Sequence, residues 1–139
     1  IISPKLDYTV ELWNATTGEQ KVIFSTPDII FGIRYSPDGK SLAISTAGVT
    51  GRTFLWDTTK EVAGVTFHGP NGPLLPFSND IAFSPDGAII ATSWGDDVML
   101  WDAKTGESIG PLTGHTRMPK KISFRQMGSG LRQAARMVR

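Results

Sequence analysis

The 139-residue chain has no cysteine, which excludes disulfides, thiolate zinc sites and cysteine nucleophiles and fits a reducing compartment. It has only two histidines, His68 and His115, without the spaced carboxylates a metal site needs. No apolar run approaches the roughly 18–20 residues of a membrane span, and no secretory signal pattern opens the chain. The chain begins at Ile1 without a methionine and is read as an excerpt of a longer protein. Acid is missing from one region: residues 1–116 hold all 13 acids and seven bases, a net of −6, whereas residues 117–139 hold seven bases and no acid. Such a split ordinarily marks a basic arm for nucleic acid or acidic membrane.

What is plentiful is turn chemistry. Fifteen glycines and nine prolines favour many turns over long helices. The turns recur. Ser-Pro-Asp-Gly stands at Ser36–Gly39 and at Ser84–Gly87, so Asp38 and Asp86 are 48 residues apart. Trp13, Trp56 and Trp101 are spaced by 43 and 45. A self-similar period of about 40–45 residues with several short strands per unit predicts propeller blades. One blade cannot bury both faces of its sheet, and stacking blades around an axis does so.

The copy at Ile81–Asp102 predicts the unit. Ile81 and Phe83, then Ile89 and Ala91, alternate as strands a and b. Pro85, Asp86 and Gly87 supply the turn between them. Val98–Trp101 is strand c, Asp102–Gly106 a second turn, and Glu107–Leu112 strand d.

These residues resemble the WD-repeat β-propeller family. The likeness rests on Ser84-Pro85-Asp86-Gly87, Leu100-Trp101-Asp102, Thr105-Gly106-Glu107 and Gly114-His115, with Ser36-Pro37-Asp38-Gly39, Leu55-Trp56-Asp57 and Leu12-Trp13-Asn14 in the earlier copies. The resemblance implies an all-β, unclosed propeller fragment of four-stranded antiparallel blades. Its predicted parts are strands c and d of a truncated blade (1–26), a full blade (27–68), and a second full blade (69–116) with a loop insertion at 68–79. The first strand of a further blade (117–124) and a basic tail outside the propeller (125–139) follow. The tail is also read as a frameshifted blade. Codons for it can be chosen so that the neighbouring frame encodes SPDGKRLASGSEDGT, the continuation a blade requires. Met127-Gly128 and Met137-Val138 then force glycine codons ten apart, the spacing of Asp86 and Asp96. On that reading the basic arm is an accident of frame, and nucleic acid is not an expected partner.

The resemblance also implies a buried hydrogen-bond chain in each blade, from a Gly-His histidine through an Asp in the b–c turn and a Ser or Thr of strand b to the strand-c Trp. Ser93, Asp96 and Trp101 are assigned to it in the blade at 81–102, whose His68 is displaced by the insertion. Between Ala47 and Thr53 there is no Asp, so the blade at 33–57 lacks the chain. Ser3, Asp7 and Trp13 fit a blade whose His lies outside the sequence. The predicted repeat positions are thus Asp7, Trp13, Asp38, Gly39, Trp56, Asp57, Asp86, Gly87, Ser93, Asp96, Trp101, Asp102, Gly114 and His115.

No enzyme constellation emerges. Asp96-Asp97 reads as a blade turn, Ser-Pro-Asp-Gly lacks the flanking Gly and base of a nucleophile elbow, and Gly128–Gly130 is too short for a phosphate loop. No catalytic residue, cofactor or metal is expected. Propellers bind on the face bearing the d–a and b–c loops, which points to Asp28, Ile29, Phe77, Arg117 and Met118, with Trp94 as a further exposed aromatic. The expected function is a non-catalytic protein-interaction scaffold within a larger intracellular, cytoplasmic signalling or sensor protein. Its partners would be other proteins and the remaining blades, without membrane. The propeller region of a hydrolase or peptidase is the alternative, and nucleic-acid contact through the tail the second. Taken alone, the fragment would leave apolar sheet faces open at its ends, which predicts self-association.

Overall fold

The structure, a computed structural model, describes residues 8–47, 52–67 and 80–125, and the backbone alone of 2–4 and 134–138. Every regular element among them is a strand. β1 (Ile2–Pro4), β2 (Thr9–Trp13) and β3 (Gln20–Ser25) form the first sheet in that order. β4 (Ile29–Tyr35), β5 (Ser41–Ala47), β6 (Thr53–Asp57) and β7 (Val62–Phe67) form a four-stranded meander. β8 (Ile81–Phe83), β9 (Ile89–Trp94), β10 (Asp97–Asp102) and β11 (Ser108–Leu112) form a second. β12 (Lys121–Arg125) and β13 (Ala134–Val138) close as a hairpin. All pairings within the sheets are antiparallel, so the fold is an unclosed set of propeller blades. The predicted insertion at 68–79 lies outside the described residues.

Two elements differ from the sequence reading. The opening sheet has a third strand, β1, paired from Ile2↔Leu12 to Pro4↔Val10. The tail, which lacks strand alternation, supplies β13, paired from Lys121↔Val138 to Arg125↔Ala134. Backbone N–H and C=O groups along an open strand edge take a partner strand whatever its side-chain pattern.

The sheets stack through three apolar seams. Val10 of β2 meets Leu42, Ile44 and Phe54 of the second sheet. Ala43, Leu55 and Phe67 of that sheet meet Ile81, Ile90, Met99 and Trp101 of the third. Ala91 and Val98 of the third meet Ile122 of β12. Strands β5 and β9 are therefore buried on both sides. Leu42 and Ile44 face backward and Ala43 forward, and Ile90 faces backward and Ala91 forward. The alternating residues of these strands thus serve two inner faces, because each blade is sandwiched between neighbours.

Candidate interaction site

The turns that hold the strands in place are built identically. In one, Ser36 Oγ donates to Asp38 Oδ1 at 2.6 Å, Lys40 N–H donates to the same oxygen at 3.0 Å, and Ser41 N–H donates to Ser36 Oγ at 2.9 Å. In the other, Ser84 Oγ, Ala88 N–H and Ile89 N–H repeat these bonds at 2.6, 3.0 and 2.9 Å around Asp86. Gly39 and Gly87 take φ of 71° and 73°, which a side chain would strain. The turns after strand c repeat as well. Asn14 Oδ1 accepts Thr16 and Thr17 N–H, Asp57 Oδ1 accepts Thr59 and Lys60 N–H, and Asp102 Oδ1 accepts Lys104 and Thr105 N–H. A groove of about 460 Å³ runs between the Ser-Pro-Asp-Gly turns past Asp38, Asp86 and Lys104. The Oδ1 atoms of both its carboxylates are already spent on the turns.

These bonds favour ionised carboxylates. The Thr59 hydroxyl, with the Lys60 and Thr59 amides, lowers the Asp57 pKa to about 2. Ser36 and the Lys40 amide lower Asp38, and the Thr105 and Lys104 amides lower Asp102. A carboxylate depressed on folding contributes stability that is fully present above its unfolded pKa of about 3.9 and is lost as pH falls through the folded value. The Asp57 turn is therefore expected to hold from neutrality to about pH 4 and to loosen between about pH 4 and 2. A carboxyl titration by NMR checks this: an Asp57 midpoint at or above that of an unstructured Asp would contradict it.

Trp101 is buried, and its indole Nε1–H donates to Thr92 Oγ1 at 2.9 Å. This corrects the assignment of Ser93 and Asp96. Register pairs Trp101 with Ile90 and Met99 with Thr92, so Thr92 shares the indole's face of the sheet, whereas Ser93 pairs with Val98 on the other. Ser93 Oγ instead accepts the Asp80 N–H at 3.3 Å, and Asp96 lies exposed in the turn. In the second sheet Trp56 pairs with Leu42, so Ile44 occupies the place of Thr92. An isoleucine accepts no hydrogen bond, and Trp56 Nε1 is buried without an acceptor among the described residues. Trp13 is exposed and Asp7 lies outside the described residues. Gly114 is exposed, and half-buried His115 has no partner for Nδ1 among the described residues.

One polar group binds successive blades together. The buried Asp80 carboxylate accepts Arg34 Nη2 of β4 at 2.8 Å through Oδ1 and the Ile122 N–H of β12 at 2.8 Å through Oδ2. Nothing local in the sequence marks Asp80, because its partners lie 46 and 42 residues away.

On the face of the d–a and b–c loops, Asp28 is buried and its N–H donates to Thr26 Oγ1, so it belongs to the frame and not to the surface. Ile29 and Arg117 are exposed, Met118 is half-buried, and Phe77 lies outside the described residues. Trp94 is half-buried against the seam between the second and third sheets. Phe31, which the sequence reading missed, is exposed beside Ile29 on β4. Register passes from Ile30↔Thr46 to Gly32↔Ser45, leaving Phe31 as the extra residue of a β-bulge, a device that re-aims a side chain. Gly32 was the available signal, since a glycine inside a strand often marks a bulge. Among the described residues no group of three His, Cys, Asp or Glu could hold a metal ion, and no helix is long and apolar enough to cross a membrane.

Comparison with known proteins gives the arrangement its family. The model of the WD domain, G-beta repeat, matches residues 61–102. The periodic tryptophan protein 2 homolog of Dictyostelium discoideum is 27% identical over 85% of this chain and 13% of its own length. WD repeat-containing protein 82 of Drosophila melanogaster is 36% identical over 60% of this chain and 26% of its own. This chain thus spans about a quarter or less of either relative. A chain in the crystal structure of a mitotic checkpoint complex superposes with a TM-score of 0.72 at 18% identity, over 91% of this chain and 37% of that one, a likeness of fold. Stacked antiparallel blades, recurring Ser-Pro-Asp-Gly turns and a tryptophan on each strand c, together with these matches, support a partial WD-repeat β-propeller, an unclosed part of a propeller.

Proposed function

We propose that this chain is a non-catalytic scaffold for protein–protein contacts, part of a propeller in a larger intracellular signalling or sensor protein whose remaining blades complete it. The observation that carries the reading is the pairing of a rigid frame with an apolar rim. Ile29 and Phe31 stand exposed on β4 at the end bearing the d–a and b–c loops, and Arg117 stands exposed ahead of β12 at the same end. Large apolar side chains and arginine on a pre-organised surface are what interface hot spots use. The name of one relative, WD repeat-containing protein 82, and the checkpoint complex that holds the structural neighbour support the same class.

The test is affinity purification of the chain and of an Ile29→Glu/Arg117→Glu variant, with partners quantified by mass spectrometry. The variant is expected to lose a defined set of partners by about tenfold or more, at an unchanged circular dichroism spectrum. Equal recovery of every partner by both would remove this rim as the binding face.

A further inference from the structure

Charge is sorted between the two ends of the sheets. The a–b and c–d turns show five exposed acids among the described residues, Glu19, Asp38, Glu61, Asp86 and Glu107, against the exposed lysines Lys40, Lys60 and Lys104. The opposite end, with the d–a and b–c loops, holds acids that folding hides. Asp28 and Asp80 are 2% and 5% exposed, and in the described loops at this end Asp96 is the one exposed acid. Three exposed cations stand there, Arg52, Arg117 and Lys120, and none has an ion pair among the described residues. Residues 48–51 and 68–79, which join strands at this end, contain no Asp, Glu, Lys or Arg, and Lys5 and Asp7 cancel, so the sorting does not depend on them.

Arg52 is held in place before β6. Thr46 N–H donates to its carbonyl oxygen at 2.8 Å, and its own N–H donates to Thr46 Oγ1 at 3.2 Å. Its guanidinium carbon lies 5.4 Å from the centroid of the Phe54 ring. A guanidinium ordered against a ring loses little freedom when it takes a carboxylate on both of its donors. Thr46 in turn pairs with Ile30, the neighbour of the exposed Ile29. The cation and the apolar side chain therefore sit two strands apart on one sheet, about 10 Å.

We infer that this end binds an acidic segment of a partner protein, which lays carboxylates on Arg52 and Arg117 and an apolar side chain on Ile29. The inference rests on the scaffold reading and adds to it the charge of the partner. From the second sheet to β12 is two sheet spacings, roughly 20 Å, which about six extended residues span. Opposite charges across such a contact speed encounter and reject wrong partners more than they tighten binding. A nucleic-acid strand fits less well. Between Arg52 and Arg117 lies the third sheet, whose b–c turn presents the exposed Asp96. A phosphodiester chain carries its charge past that point without a break, whereas a peptide can set a neutral residue there.

Selection of a random peptide library on the 139-residue chain tests this, followed by fluorescence anisotropy with the most enriched peptide. Enriched sequences are expected to combine Asp or Glu with an apolar residue. Arg52→Glu and Arg117→Glu should each weaken the peptide about tenfold or more, and Lys104→Glu, at the opposite end, should leave it unchanged. Raising salt from about 0.05 M to about 0.5 M should weaken it as well. A selection that yields nothing, or neutral or basic peptides, overturns the inference, as does an acidic peptide indifferent to both arginine variants. So does a single-stranded DNA oligomer that binds through the two arginines more tightly than the peptide. If neutral apolar peptides are enriched and Ile29→Glu loses them, the charge of the partner is wrong and the scaffold reading stands. If the enriched peptides bind Ile29→Glu and both arginine variants like the parent, the rim itself fails. Should Arg52→Glu alter the circular dichroism spectrum, Arg52→Gln, which keeps a stem over Phe54, decides in its place.

Discussion

Replacing Trp101 by Ala is expected to cost about 3–5 kcal/mol, the largest single effect of any side chain here. The indole fills the seam between the second and third sheets, where it touches the Phe67 ring, so its loss opens a cavity against both. Part of that cost belongs to one hydrogen bond, and it can be separated. Thr92→Val keeps the volume and removes the acceptor, leaving a buried indole N–H unpaired, and is expected to cost about 1–3 kcal/mol. Thr92→Ser keeps an acceptor and should cost less. In a Trp101→Phe background, where no N–H remains, Thr92→Val should cost little. Urea midpoints for this double-mutant cycle measure the coupling directly, and additive single effects would mean that the bond contributes nothing. Ser93→Ala is the matching control for the residue the sequence had suggested, and it should leave the Trp101–Thr92 coupling unchanged.

The second large effect is expected at Asp80. Asp80→Ala removes the acceptor of the buried Ile122 N–H and the partner of Arg34 together, and an orphaned buried donor costs about 1–3 kcal/mol. The Arg34 side chain is half-exposed, so the ion pair itself adds no more than about 1 kcal/mol. Asp80→Asn retains an oxygen for Ile122 and should fall between the parent and Asp80→Ala. Arg34→Ala leaves the buried carboxylate without its cation, but water at the exposed side keeps its cost below the about 3–5 kcal/mol of a fully buried pair. Hydrogen exchange supplies the specific readout. The Ile122 amide should lose protection in Asp80→Ala and keep most of it in Arg34→Ala. Unchanged protection of Ile122 in Asp80→Ala would show that β12 is held by the apolar seam alone.

The two effects differ in how far the sequence announces them. Trp101 stands in a repeat whose spacing is visible by eye, and its burial follows from strand c being an inner strand of a stacked sheet. The choice between Thr92 and Ser93 needs the pairing register, because adjacent residues of a strand face opposite ways and a shift by one exchanges them. Trp56 repeats the lesson. Its sequence neighbourhood matches that of Trp101, but the residue that lies diagonally across from it is Ile44, so the same tryptophan has no acceptor among the described residues.

For the proposed interaction rim, the repeat points to Ile29 and Arg117, and both are exposed. Burial is not legible in the repeat, and Asp28 is enclosed one position before Ile29. Phe31 owes its exposure to a bulge, whose effect is set by the extra residue and not by hydrophobicity.

The sequence by itself determined the turns, the strand order within the two complete blades and the likeness to WD repeats. These depend on side chains acting within a few residues, as when an Asp or Ser bonds the amides that follow it, and local chemistry repeats wherever the letters repeat. Only the tertiary structure decided which groups meet across strands and between sheets. The Thr92 acceptor follows from the register of two paired strands. The Asp80 clasp across three successive inner strands follows from how the sheets stack, and its partners lie more than forty positions away.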